Sequence, residues 1–145
     1  ELDGRLDPAL SAGERRVARE RVGELLDALA TGPLLERLRE IAPHVIAREL
    51  PVLLPPEDGR SDGPVGFLAG AVDLLYRDPL SGALVVADYK TDRLADDAAL
   101  EERAEQYGAQ GAGYVRAVQG ALALSEPPRF ELWFLDAGRI REIAT

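Results

Sequence analysis

Two apolar runs, 65–76 and 83–91, flank the string Asp78-Pro79-Leu80-Ser81-Gly82. Asp, Pro, Ser and Gly each suit a tight turn for a separate physical reason, so the string between two apolar runs reads as the bend of an antiparallel hairpin. That bend constrains the chain more than any other feature, because it fixes which residues face each other. Counting back from an Asp78–Ala83 pair, one residue at a time along both strands, brings Asp73 opposite Asp88. The two carboxylates are then expected on one face, with Cβ atoms ~4.5–5.5 Å apart. Lys90 is two residues beyond Asp88 and shares its face.

Two carboxylates so close repel, and must share a proton or bind a cation. With 0 Cys and 1 His in the chain, thiolate zinc sites, Fe–S clusters, disulfide scaffolds and multi-histidine sites are excluded. Hard oxygen ligands suit Mg²⁺ or Mn²⁺, which keep several waters and take phosphate oxygens. A lysine beside such an ion can orient a water and neutralise developing phosphate charge. The constellation suits metal-assisted phosphodiester hydrolysis. It suits equally a solvated sheet face on which Lys90 balances two acids, and a one-residue register slip would send Asp88 to the other side.

The rest of the chain reads as α-α-β-β-β-α-β-β, one mixed sheet with helices, α/β with α+β character. Its 145 residues suit a single domain. Ser11 with Glu14 forms a capping box. Ala18, Val22, Leu25 and Leu29 then make one apolar stripe, and Gly32-Pro33 ends the helix. Arg15, Arg16, Arg19 and Arg21 occupy the other face, suited to solvent or to phosphates. A short helix follows with Leu34, Leu35, Leu38 and Ile41 inward. In the strand 45–54, Ile46, Leu50, Val52 and Leu54 are expected on one face and Glu49 on the other, with Pro51 marking an edge. The stretch 55–64 reads as a polar mobile loop. Asp96 or Asp97 caps a helical region to about position 124, with a break expected near Gly108. Strands 129–135 and 139–143 flank Asp136-Ala137-Gly138 as a second hairpin. Trp133 and Phe134 are expected to pack against helices, though either suits base stacking. No apolar run approaches the 18 residues of a membrane span, no P-loop is present, and Glu1-Leu2-Asp3-Gly4 does not read as a signal peptide. The absence of Met suggests a chain excised from a longer polypeptide.

Gly70-Ala71-Val72-Asp73-Leu74-Leu75, then Asp88-Tyr89-Lys90-Thr91-Asp92, then Gln110-Gly111-Ala112-Gly113-Tyr114, resemble the PD-(D/E)XK nuclease superfamily. More narrowly, they resemble the RecB-type nuclease domain at the C-terminus of RecB and AddA helicase–nucleases. The resemblance covers roughly 45–143. It implies a restriction-endonuclease-like core over 44–145, preceded by N-terminal helices over 1–43, and a Mg²⁺-dependent deoxyribonuclease (Mn²⁺ substituting) that processes double-strand breaks for recombinational repair. Residue by residue, it makes Asp73 and Asp88 metal ligands, the Tyr89 backbone carbonyl a further ligand, and Lys90 the catalytic lysine. Gln110 and Tyr114 become a pair beside the site and the DNA, where helix packing is the other reading. Glu49 matches a strand-one glutamate, and suits a solvated position equally well.

Implied partners are DNA, as single-stranded ends, the helicase domains of the same polypeptide and a second helicase–nuclease subunit, without a membrane. The implied setting is bacterial cytoplasm, associated with the nucleoid. The family's metal-binding His, in a G-T-x-x-H helix, has no counterpart here. His44 reads as a surface or turn residue, and the chain is expected to begin just after that helix. The net charge of −9 lacks the basic field of a protein that grips DNA alone. Two other functions fit the same residues: a silent DNA- or partner-binding module of this fold, and a free-standing endonuclease.

Overall fold

At the central turn, Asp78 N–H donates to the Ala83 carbonyl at 2.8 Å and Gly82 N–H returns a bond to the Asp78 carbonyl, also at 2.8 Å. Asp78 Oδ1 accepts from the Leu80 and Ser81 N–H groups at 3.1 and 2.7 Å, and Gly82 supplies the positive φ of +71° that closes the bend. The strands leaving this turn pair Arg77 with Leu84, Tyr76 with Val85, Leu75 with Val86 and Leu74 with Ala87. This is the register expected from the sequence.

The computed structural model describes residues 9–54 and 68–144. The expected loop 55–64 and the start of the second run therefore lie outside the described residues. The elements are α1 (Ala12–Thr31), α2 (Pro33–Ile41), a 3-10 turn (Ala42–His44), β1 (Val45–Leu54), β2 (Leu68–Arg77), β3 (Leu84–Lys90), α3 (Asp97–Ala121), β4 (Arg129–Phe134) and β5 (Arg139–Ile143). The five strands form one sheet in the order β1-β2-β3-β4-β5. All neighbours are antiparallel except β3 and β4, which are parallel and joined through α3. The molecule is thus α+β, a mixed five-stranded sheet flanked by helices.

Each sheet face carries its own core. Val72, Leu75, Val86, Phe130, Leu132 and Phe134 pack against Leu100, Ala104, Tyr114, Val115 and Val118 of α3. On the other face Leu74, Tyr76, Val85, Ala87 and Trp133 pack against Leu34 and Ile41 of α2. Trp133 and Phe134 are fully buried, one in each core, as expected of packing residues. The second core also holds the buried Glu131 carboxylate, which accepts from Tyr76 Oη at 2.7 Å and Trp133 Nε1 at 2.9 Å. Burying that carboxylate is tolerable because both donors reach it.

Three expectations are corrected. The Arg15–Arg21 cluster is not wholly a solvated face, since Arg21 ion-pairs with Asp136 at 2.5 Å and donates to the Thr91 carbonyl at 3.0 Å. It ties α1 to the ends of β3 and β4. No break occurs at Gly108, because α3 runs without interruption from an Asp96 cap whose side chain accepts from Ala99 N–H at 2.9 Å. In β1, Ile46 is exposed while Ala47, Leu50 and Val52 pack towards α3. Strict alternation fails there because the register shifts between Val45 and Ala47 and Glu49 adopts φ +49°.

The α3 glycines differ in cost. A Cβ on Gly111 would lie 2.2 Å from Phe130 Cε1, whereas one on Gly108 would meet nothing within 4 Å. Gly111→Ala is expected to destabilise the fold by about 1–3 kcal/mol, because the buried Phe130 ring has nowhere to go. Gly108→Ala is expected to stabilise it by about 0.5–1 kcal/mol through helix propensity. Urea unfolding of both variants checks the pair, and equal shifts would contradict the packing described.

Candidate functional site

The hairpin opens where the acids sit. With Asp78 and Ala83 hydrogen-bonded, antiparallel alternation calls for the next backbone exchange beyond Leu74–Ala87 to join Val72 and Tyr89. Instead the paired rows end at Leu74–Ala87, and Tyr89 N–H donates to Asp73 Oδ2 at 2.6 Å. A carboxylate has replaced a strand carbonyl. The side chains record the accompanying twist. Val72 and Leu75, three residues apart, both pack towards α3, while Leu74 packs towards α2. Asp73 stands at this reversal, with its carboxylate turned into the opening.

The neighbouring strand kinks at the same level. Glu49 lies between the paired rows Arg48–Leu74 and Leu50–Val72, beside Asp73, and holds the left-handed conformation that non-glycine residues seldom adopt. Its side chain is exposed. Glu49 thus stands level with Asp73 across β1 and β2.

Asp88 and Lys90 share one face, as expected, and it is the face covered by α3; the expected Asp73–Asp88 ladder pair does not form, because the paired rows end at Leu74–Ala87. Lys90 Nζ is 2.5 Å from Asp88 Oδ2 and donates to Gln110 Oε1 at 3.0 Å. Gln110 Nε2 in turn donates to Tyr114 Oη at 2.8 Å. Gly70 of β2 makes room for that phenol, since a Cβ there would stand 3.0 Å from Tyr114 Cε1. The i,i+4 spacing of Gln110 and Tyr114 puts both on one helix face, and the structure joins them to Lys90.

Burial raises the Asp88 carboxyl above its ordinary value, the Lys90 ammonium opposes that rise, and the Asp73 charge adds to it. Asp88 is 4% exposed. Its Oδ2 lies against the Lys90 ammonium. Burial, followed by the Asp73 charge, also raises Tyr89, with Arg48 opposing and Glu49 contributing.

The structure therefore brings together Asp73, Asp88, Lys90, Gln110 and Tyr114, with the Tyr89 backbone beside them. Glu49 is adjacent through β1, and its charge acts on Tyr89. His44 ends the exposed 3-10 turn, a turn residue as expected. The sequence assigns no site role to Tyr107, whose ring centroid lies 3.7 Å from Lys90 Nζ, or to Asp92, which accepts from Tyr107 Oη at 3.1 Å. Arg103 Nε stands 3.3 Å from Asp92. Two signals were available: Arg103, Tyr107, Gln110 and Tyr114 recur at helical spacing, and Lys90 is the single lysine among 17 basic residues.

Among the described residues no group of three or more His, Asp and Glu side chains could hold a metal ion. The Asp73–Asp88 pair still fits one hard divalent cation, because Mg²⁺ takes one or two carboxylates and completes its shell with water or phosphate. Among the described residues no helix is long and apolar enough to cross a membrane. No family model and no curated protein matches the chain.

Because the Asp88 carboxyl is raised on folding, its contribution favours the folded state most below the unfolded value of about 4 and is lost as pH rises through the folded one. Removing Lys90 deepens that loss, since a buried charge is left unpaired. Lys90→Ala is expected to cost about 1–3 kcal/mol at pH 7 and less at pH 4, because a raised carboxyl carries more of its proton as pH falls. Denaturant midpoints at the two pH values check this, and an equal loss at both would show that Lys90 does not balance Asp88.

Proposed function

We propose that this domain is a divalent-metal-dependent deoxyribonuclease module with a PD-(D/E)XK core, of the type carried by RecB- and AddA-like helicase–nucleases. One observation carries the reading: two carboxylates stand together where β2 and β3 separate, with the lysine ammonium held beside them. A structural ion pair needs neither the second, half-buried acid nor the opened ladder.

Asp73, Asp88 and the Tyr89 carbonyl would hold Mg²⁺ or Mn²⁺. A metal bound there supplies Lewis-acid polarisation of a phosphodiester and a more acidic water. The chain's own residues do the rest. Tyr89 N–H orients Asp73 through the 2.6 Å bond. Gln110, itself bonded to Tyr114, holds the Lys90 ammonium within reach of Asp88. Lys90 can hold an attacking water by hydrogen bonding and offset the negative charge that grows on the phosphate. The second core, built on Trp133 and Tyr76, keeps β3 and β4 rigid behind the site.

The net charge of −9 suggests that cation–phosphate contacts come largely from elsewhere, the helicase domains of the same polypeptide and a second subunit in this reading. The substrate would be single-stranded ends fed to the site during recombinational repair, in bacterial cytoplasm.

The deciding experiment is cleavage of end-labelled single-stranded DNA with Mg²⁺ or Mn²⁺, by this chain and by one extended upstream of Glu1. Metal-dependent cutting is expected to fall at least about a hundredfold in Asp73→Asn and in Lys90→Ala, assayed where circular dichroism shows both folded. Gln110→Ala is expected to weaken cutting without unfolding the domain. Binding of DNA without cutting in both lengths of chain would point to a silent binding module, and sequence-specific duplex cutting to a free-standing endonuclease. Unchanged rates in both site variants would overturn the nuclease.

A further inference from the structure

We propose that Tyr107 is a positioning residue that fixes the Lys90 ammonium against Asp88 and Gln110. Lys90 Nζ lies over the Tyr107 ring at 3.7 Å from the centroid, well inside the distance at which a ring face attracts a cation. The ring closes the side of the ammonium that neither Asp88 at 2.5 Å nor Gln110 at 3.0 Å occupies. A lysine side chain has several rotatable bonds and an ammonium that any acceptor can draw away. Here the carboxylate, the amide and the aromatic face leave it one position.

The ring is itself fixed. Tyr107 Oη donates to Asp92 Oδ2 at 3.1 Å, and Arg103 Nε lies 3.3 Å from Asp92 Oδ1. Asp92 follows Lys90 by two residues and Arg103 precedes Tyr107 by four, so the strand that carries the lysine and the helix that carries the ring are joined at both ends. Residues 103, 107 and 110 lie along one face of α3, and the clamp needs no further element. The geometric part of this inference stands without the nuclease reading; its kinetic part rests on that reading.

Because the chain has one lysine, protein labelled with ε-¹³C-lysine gives one ε-methylene signal, that of Lys90. That signal is expected upfield of an exposed lysine through the ring current of Tyr107, to remain upfield in Tyr107→Phe and to return towards the exposed value in Tyr107→Leu. With cleavage as a second measurement, Tyr107→Leu is expected to lower kcat about tenfold with KM for DNA unchanged, and Tyr107→Phe to restore most of it. A signal at the exposed position in the wild-type protein would overturn the clamp, as would one unmoved by Tyr107→Leu. Full kcat in Tyr107→Leu would overturn its catalytic consequence. An upfield signal in a protein that never cuts DNA would support the clamp and count against the nuclease reading, so the two failures are distinguishable.

Discussion

A single hydrogen bond, from Tyr89 N–H to Asp73 Oδ2, divides the sheet into two regions. On the turn side of it β2 and β3 are zipped backbone to backbone; beyond it a carboxylate has replaced the partner strand. A charged acceptor makes a stronger bond than a neutral carbonyl, so the opening is held and not merely frayed. The residues of the candidate site lie at or beyond this point. Asp88 stands alongside the opening, Lys90 two residues on, and α3 crosses the sheet where Gln110 and Tyr114 can reach the ammonium. Had the ladder continued, Val72 and Tyr89 would satisfy each other and Asp73 would alternate onto one face.

The opposite end of the hairpin is built to be immobile. Asp78 binds its own turn and the Arg37 guanidinium, and the Ser81 backbone bond together with that guanidinium holds its carboxyl well below the usual range. Arg37 also reaches Glu40 at 2.7 Å, and Tyr76 passes the connection to the buried Glu131. This network anchors α2 to the turn end of the sheet, while Arg21 anchors α1 at the site end. A buried network of this kind adds rigidity when every member finds a partner, and the acids of the opening require a rigid support because their mutual repulsion would otherwise spread the strands.

The sequence made the register legible because turn chemistry is local. Asp78, Pro79 and Gly82 define a bend, and period-two counting carries the pairing outward without error as far as Leu74–Ala87. Capping was legible for the same reason, in Ser11–Glu14 and at Asp96. Counting failed where the backbone departs from a flat strand. Nothing in Arg48-Glu49-Leu50 announces a left-handed residue, and nothing around Asp73 announces that the faces reverse, since both depend on how two strands accommodate each other. Gly108 misled because a glycine's helix penalty is small beside the packing of the residues around it. Tyr107 falls in the repeating stripe of the long helix with Leu100, Ala104 and Val118, and an aromatic there looks like core until the partner across the gap is known to be a lysine.

The kinks in β1 have one more consequence. β1 is the sheet's outer strand, and it exposes Ile46 and Leu53. A flat, apolar edge of ten residues would be a template on which a second chain could add itself and start aggregation. Here the register shift between Val45 and Ala47, the reversed twist at Glu49 and the missing donor of Pro51 fall within seven consecutive residues. An incoming strand would lose hydrogen bonds at each of the three. The distortion at the level of Asp73 thus also makes this edge a poor template for a second copy of the domain.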